Sequence, residues 1–91
     1  MTLDELFAII INRRDFPSST SYTSKLFADG LDKILQKVGE EAVEVILAGK
    51  GQGRQRVIEE VADLTYHTLV LLAAHSITPE EICTELERRH K

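Results

Sequence analysis

The chain has 91 residues, with 15 Asp and Glu against 11 Lys and Arg, so its formal net charge is −4. This length has room for one domain over residues 1–91, and the acidic balance argues against nucleic-acid binding, which needs a concentrated basic face. A single cysteine excludes an intramolecular disulfide and fits the cytoplasm, and no apolar run reaches the roughly 18 residues that a membrane span needs.

Hydrophobic residues recur at helical intervals from the start of the chain. Thr2 and Glu5 have capping-box spacing and predict a first helix over residues 2–14, which ends before Pro17 and a hydroxyl-rich loop at residues 18–21. Residues 22–28 are expected to form a short helical turn, stopped by Asp29 and Gly30.

Two longer helices are predicted, over residues 31–48 and over residues 55–75. Gly49 and Gly51 should end the first of them. The second of these is apolar around much of its girth, which favours burial of part of it in a subunit interface. A last helix should start at Thr78, with Pro79 at its first position. These patterns predict an all-α protein of four main helices, a bundle completed by dimerisation.

Two pairs of acidic residues occupy the two long helices. Glu41 and Glu44 are three residues apart on one helix, as are Glu60 and Asp63 on the next, so each pair shares a helix face. The short connection over residues 49–54 should make the helices antiparallel neighbours. All four carboxylates would then meet between the helices.

Convergence of this kind is costly without a cation, since two carboxylates about 5 Å apart repel by roughly 3 kcal/mol at an effective dielectric of about 20. Oxygen ligands suit Mg²⁺, or Mn²⁺, rather than Zn²⁺. The other interpretation is that these acids lie on solvated helix faces, where such spacing is common. Glu59 is interpreted as solvated in either case.

Basic residues in the N-terminal half supply the complementary charge. Lys37 lies four residues before Glu41 and should stand beside the acidic face, while Lys25 and Arg13 flank the hydroxyl-rich loop. Cations beside a metal site suit a polyphosphate. The glycines at residues 49–53 lack the spacing of a phosphate-binding loop and follow a helix instead of a strand.

Four other residues with functional side chains are interpreted as structural. His67 lies on a largely apolar helix and is interpreted as packed rather than as a metal ligand. Cys83 has no clear base near it in the sequence, which favours a small buried residue over a nucleophile. Tyr22 and Tyr66 fit the core or an interface better than a base-stacking site.

The acidic pattern resembles the signature of the all-α nucleoside-triphosphate pyrophosphohydrolases, the MazG-like superfamily. That pattern is Glu40-Glu41-x-x-Glu44 followed, after fifteen residues, by Glu60-x-x-Asp63. Ser21-Tyr22-Thr23 together with Lys37-Val38-Gly39-Glu40-Glu41 narrows the similarity to the phosphoribosyl-ATP pyrophosphohydrolase family, and it extends over nearly the whole chain. Ser76 stands where a glycine is common.

The resemblance implies a reaction, a cofactor and an assembly. The reaction would be hydrolysis of phosphoribosyl-ATP to phosphoribosyl-AMP and pyrophosphate, with Mg²⁺ required, in an all-α homodimer. Metal held by Glu41, Glu44, Glu60 and Asp63 would activate the water, and Glu40 would either support a ligand or accept the water's proton. Lys37, Lys25 and Arg13 would contact phosphates.

Two rival functions use the same residues differently. A house-cleaning pyrophosphohydrolase that removes non-standard nucleotides shares the acidic motif and differs in the substrate loop. A non-catalytic dimeric helical module would carry the same acids as solvated surface.

Overall fold

The computed structural model describes residues 1–90 and arranges them in α-helices alone. These are α1 (Leu3–Asp15), α2 (Tyr22–Asp29), α3 (Leu31–Gly51), α4 (Arg54–Ala74) and α5 (Pro79–Arg89). The predicted all-α class is therefore confirmed. The short turn predicted after the hydroxyl-rich loop is a helix of 8 residues, α2.

Side-chain caps start α1 and α5 where the sequence predicts, whereas α3 and α4 have none. The Thr2 hydroxyl accepts a hydrogen bond from the Glu5 amide at 3.1 Å. Thr78 and Glu81 form a complete capping box, and Pro79 occupies the first turn of α5. Such caps satisfy amide groups that have no partner within the helix, which is why the start of a helix is easier to predict than its end.

The predicted end of the helix that begins at Leu31 was wrong. α3 continues through Gly49 to Gly51, and only Gln52 and Gly53 connect it to α4. A glycine inside a helix costs only about 1 kcal/mol, which the extensive packing of α3 on α4 offsets. The turn itself requires glycine at residue 53, whose φ of 95° is in the left-handed region.

The hydrophobic core lies at one end of the molecule. Its fully buried side chains are Ile10 of α1, Leu26 of α2, Ile34 of α3 and Val70 of α4. The core uses the first turns of α3 and the last turns of α4, and partly buried residues of α1 and α2 pack against it. The other halves of α3 and α4 extend beyond this core as a helical hairpin.

The α3–α4 hairpin leaves a large apolar surface uncovered. The exposed apolar residues of the two helices are Leu31, Leu35, Val43, Ile46, Leu47, Ile58 and Val61. The radius of gyration is 14.2 Å, against about 12 Å for a compact domain of this length. The chain exposes 6344 Å², where a compact protein of its mass exposes about 5,300 Å².

The C-terminal end of α4 is closed by a Schellman motif. The Ile77 amide donates to the Leu72 carbonyl at 2.9 Å, and the Ser76 amide donates to the Ala73 carbonyl at 3.1 Å. Ser76 therefore adopts a φ of 55°, where glycine is usual. The Arg14 guanidinium donates to the Ala73 carbonyl at 2.8 Å and ties α1 to this end of α4.

α5 differs from the other helices in having no buried residue. The interpretation of Cys83 as buried was wrong, since Cys83 is exposed. The physical reason is that α5 makes few contacts with the other helices. Within residues 1–90, no helix has the length and apolar content to cross a membrane.

Candidate active site

Three of the four predicted metal ligands come together between α3 and α4. Glu41, Glu60 and Asp63 each offer a carboxylate oxygen, and these oxygens all lie within 4.8 Å of one another. We call these three residues the carboxylate cluster. Glu60 is buried, at 6% exposure, whereas Asp63 is exposed. The cluster is therefore anchored inside the hairpin and open to solvent on one side.

Two cations partly balance the carboxylate cluster. Arg56, one turn before Glu60 on α4, forms an ion pair with the Glu60 Oε1 atom. Lys37, one turn before Glu41 on α3, holds its Nζ atom 3.6 Å from the Glu41 Oε1 atom. Repulsion within the cluster is about 3 kcal/mol per carboxylate pair at an effective dielectric of about 20, so two surface cations leave a site that still favours a further positive charge.

The donor set of the carboxylate cluster fits a hard divalent cation. All three donors are carboxylate oxygens, which Mg²⁺ and Mn²⁺ prefer. The buried Glu60 has one oxygen, Oε1, paired with Arg56, and one of its two oxygens lies within 4.8 Å of oxygens of Glu41 and Asp63. A site with three protein ligands also leaves coordination positions for water and substrate phosphates, as Mg²⁺ usually requires.

Glu44 and Glu40 lie beside this group rather than in it. Glu44 is half-buried on α3, three residues and about 4.5 Å along the helix from Glu41. Glu40 is exposed and accepts hydrogen bonds from Gln36 at 2.7 Å and from Lys37 at 3.3 Å. These two bonds, the one from Gln36 first, lower the pKa of the Glu40 carboxyl from its ordinary value.

Lys37 is the predicted phosphate ligand that lies next to the carboxylate cluster. Burial disfavours its charge, but the hydrogen bond to Glu40 and the fields of Tyr22, Glu40 and Glu41 outweigh that effect and raise the pKa of Lys37. Its ammonium group is therefore held in its charged form beside Glu41. A permanent positive charge at this position suits a phosphate.

The other two predicted phosphate ligands lie further along the N-terminal half. Lys25 is exposed on α2, and its Nζ atom is 2.9 Å from Asp29 Oδ2. Lys25 also borders a pocket of about 470 Å³, whose other walls are the hydroxyl-rich loop and Tyr22. Arg13 is exposed near the end of α1, where its carbonyl accepts a hydrogen bond from the Ser24 hydroxyl at 2.9 Å.

The structure adds two features that the sequence analysis missed. One is Arg56, which the four-residue spacing to Glu60 on one helix could have indicated. The other is an aromatic cluster of Tyr22, Tyr66 and His67, in which Tyr22 approaches from α2. His67 is buried, as predicted, but no local sequence signal brings Tyr22 to α4.

Comparisons with known proteins agree with this arrangement. Residues 3–90 match the family described as phosphoribosyl-ATP pyrophosphohydrolase. A phosphoribosyl-ATP pyrophosphatase from Geotalea daltonii is 53% identical over 87 residues, which cover 96% of this chain and 82% of that protein. One from Clostridium botulinum is 49% identical over 89 residues, covering 98% and 81%.

One relative is named as a bifunctional protein, and this chain matches only part of the length of that protein. The histidine biosynthesis bifunctional protein HisIE of Nostoc sp. is 47% identical over 90 residues, which cover 99% of this chain and 42% of that protein. Residues 3–90, which the family model matches, span the positions of the carboxylate cluster. The chain belongs to the phosphoribosyl-ATP pyrophosphohydrolase family.

Proposed function

We propose that this chain hydrolyses phosphoribosyl-ATP to phosphoribosyl-AMP and pyrophosphate, the second step of histidine biosynthesis, at the carboxylate cluster. The observation that carries this proposal is the meeting of Glu41, Glu60 and Asp63 within 4.8 Å in a chain of that family. The names of the three relatives above, two phosphoribosyl-ATP pyrophosphatases and one bifunctional histidine biosynthesis protein, support the substrate.

We propose Mg²⁺ as the cofactor, with Mn²⁺ as a substitute, held by Glu41, Glu60 and Asp63 and reached by Glu44 from the next turn. The ion would neutralise phosphate charge and make a coordinated water more acidic. Lys37 would orient a phosphate beside the cluster, and the exposed Glu40 would accept a proton from water. Lys25 and Arg13 would contact the more distant phosphates.

The decisive experiment compares substrates. Purified protein with Mg²⁺ should release pyrophosphate from phosphoribosyl-ATP far faster than from any deoxynucleoside triphosphate. A broad preference for deoxynucleoside triphosphates would instead identify a house-cleaning enzyme. No turnover of either class, with or without metal, would favour a non-catalytic helical module.

Matched variants test the metal site itself. Asp63→Asn should abolish turnover and the rise in melting temperature that millimolar Mg²⁺ produces through linkage, while helical content is kept. Glu59→Gln is the control, because Glu59 is exposed on α4 one residue from Glu60. Glu44→Gln decides whether this residue is a ligand. Equal activity of Asp63→Asn and the control would contradict the site.

We also propose that the enzyme is a cytoplasmic homodimer. A compact protein of this mass exposes about 1,000 Å² less than this protomer does, and a typical stable interface buries about 800 Å² per partner. The apolar residues on the α3–α4 hairpin lie on the surface that such an interface would use. The single cysteine and the histidine-biosynthesis name of the Nostoc relative support the compartment.

A further inference from the structure

Arg56 is bonded directly to the buried member of the carboxylate cluster. Its Nη2 atom donates to the Glu60 Oε1 atom, and Glu60 is buried while Arg56 is exposed. Its Nη1 atom donates to Glu59, an exposed residue outside the cluster. An exposed guanidinium therefore holds an oxygen of a carboxylate that lies inside the α3–α4 hairpin.

The cation on the other helix of the hairpin is placed differently. Lys37 and Arg56 each precede a residue of the carboxylate cluster by four positions. The Lys37 Nζ atom is 3.6 Å from the Glu41 Oε1 atom, which is too far for a hydrogen bond. Its hydrogen bond goes instead to Glu40, at 3.3 Å. Of these two cations, Arg56 is therefore the one that a hydrogen bond joins to the cluster.

A guanidinium and a divalent cation attract a carboxylate in the same way, through positive charge. Arginine does not lose its proton in proteins, so the charge of Arg56 is permanent. A divalent cation held by the carboxylate cluster would share Glu60 with this guanidinium. Two positive charges that share one carboxylate repel each other, and each weakens the attraction of the carboxylate for the other. The charge of Arg56 thus opposes metal binding.

We propose that Arg56 is an internal competitor of the metal ion, which balances the charge of Glu60 before a metal binds and lowers the affinity of the carboxylate cluster for Mg²⁺. This inference rests on the metal site of the proposed function. Without metal, the pair stabilises the fold, because a buried carboxylate beside two others is unfavourable unless a cation accompanies it. Arg56 therefore acts on stability and on metal affinity in opposite directions.

The variant Arg56→Gln removes the charge and keeps a hydrogen-bond donor for Glu60. A glutamine four residues before a glutamate reaches its carboxylate elsewhere in this protein, where Gln36 donates to Glu40 at 2.7 Å. The variant therefore separates the charge of Arg56 from a role in orienting Glu60.

Metal binding is measured without substrate, by calorimetric titration with Mg²⁺ and by the paramagnetic resonance signal of free Mn²⁺. Arg56→Gln should bind both ions about three- to tenfold more tightly than wild type, because close charges repel even at the dielectric constant of water and salt screens only part of this effect. In EDTA, the melting temperature of the variant should be lower than that of wild type. A residue that only stabilised the fold would lower the melting temperature and leave the metal affinity no higher.

Two further variants are the controls. Arg56→Lys keeps a charge that can reach Glu60, as Lys25 reaches Asp29 at the same spacing, and should keep the wild-type metal affinity. Arg54→Gln removes one positive charge from an exposed residue two positions away on α4, which does not share a helix face with Arg56. This second control should leave metal affinity nearly unchanged.

The outcomes separate this proposal from the proposed function. Equal or weaker metal binding by Arg56→Gln would overturn the proposal, and weaker binding would make Arg56 a residue that orients Glu60 for the metal. An equal gain in Arg54→Gln would also overturn it, since the effect would then be one of net charge. A wild type that binds no divalent cation would overturn both proposals. A wild type that binds Mg²⁺ and does not hydrolyse phosphoribosyl-ATP would contradict the proposed function alone.

Discussion

Ser76 shows how a single residue can carry strain without touching the site. It adopts a φ of 55° because the Schellman motif at the end of α4 needs a left-handed residue after the cap. A residue with a Cβ atom pays about 1–2 kcal/mol for this conformation, whereas glycine adopts it freely.

Ser76→Gly is therefore expected to raise the free energy of unfolding by about 0.5–1 kcal/mol, since the greater freedom of glycine in the unfolded chain offsets part of the gain. Urea denaturation at a fixed protein concentration measures this change in the free energy of unfolding. Ser19→Gly is the control, because Ser19 lies in the exposed loop and has no positive φ. A loss of stability in Ser76→Gly would refute the explanation.

The sequence predicts which site residues lie close together only where they share a helix or lie on neighbouring helices joined by a short turn. Glu60 and Asp63 share a face because three residues nearly complete a turn, and a short connection brings Glu41 opposite them. The spacing rule treats Glu41 and Glu44 alike, because both lie on one face of α3, yet only Glu41 meets Glu60 and Asp63. Tyr22 meets His67 across 45 residues of sequence, so their contact is a product of the fold.

At the scale of an element, the stability of α5 depends more on interactions within the helix than that of the other helices does. It buries no residue, and its capping box and ion pairs hold it. Hydrogen bonds from Arg88 and then Arg89 lower the pKa of the Glu85 carboxyl from its ordinary value. Because the folded-state pKa is lowered, Glu85 contributes stability at neutral pH, and that contribution is lost as the pH falls through the lowered value.

Glu85→Gln should accordingly lower the melting temperature at pH 7 and make little difference at a pH below the lowered pKa, where the wild-type carboxyl is also neutral. The gap between the two proteins at pH 7 should narrow in high salt, since the ion pairs are exposed. Thermal unfolding followed by circular dichroism across pH measures both. Glu87→Gln, on the same exposed helix, is the control, and an equal effect of this variant would contradict the role of the ion pairs.

The lengths of the elements were less predictable than their existence. A cap such as Thr78 is a local hydrogen bond, so the start of α5 could be located from the sequence. The end of α3 could not, because packing against α4 carries the helix through Gly49. Local propensity of about 1 kcal/mol is small beside such packing.

At the scale of the whole molecule, the uneven distribution of the core is the main feature. The buried apolar residues gather where α1 and α2 cover the ends of α3 and α4, and the α3–α4 hairpin keeps its apolar residues exposed. The apolar girth of α4 predicted an interface on that helix from the sequence. The structure adds a second exposed apolar stretch on α3, from Val43 to Leu47.

Ile46→Asp tests this surface, since Ile46 is 68% exposed in the protomer and a charge there would be buried on association. We expect the wild type to sediment as a dimer at micromolar concentration and the variant to sediment as a monomer with its helical content largely kept. Ile9→Asp is the control, because Ile9 is an exposed isoleucine on α1 and belongs to neither helix of the hairpin. A variant as dimeric as the wild type would place the interface elsewhere.

The exposed apolar surface of the α3–α4 hairpin has a consequence for how the amount of assembled enzyme depends on the concentration of the chain. Where protomers need each other to cover that surface, the assembled fraction follows mass action. At concentrations below the dissociation constant, the number of dimers rises with the square of the number of chains. A cell that halves its supply of this chain in that range would then lose about three quarters of the assembled enzyme, so flux through the step would fall more steeply than expression.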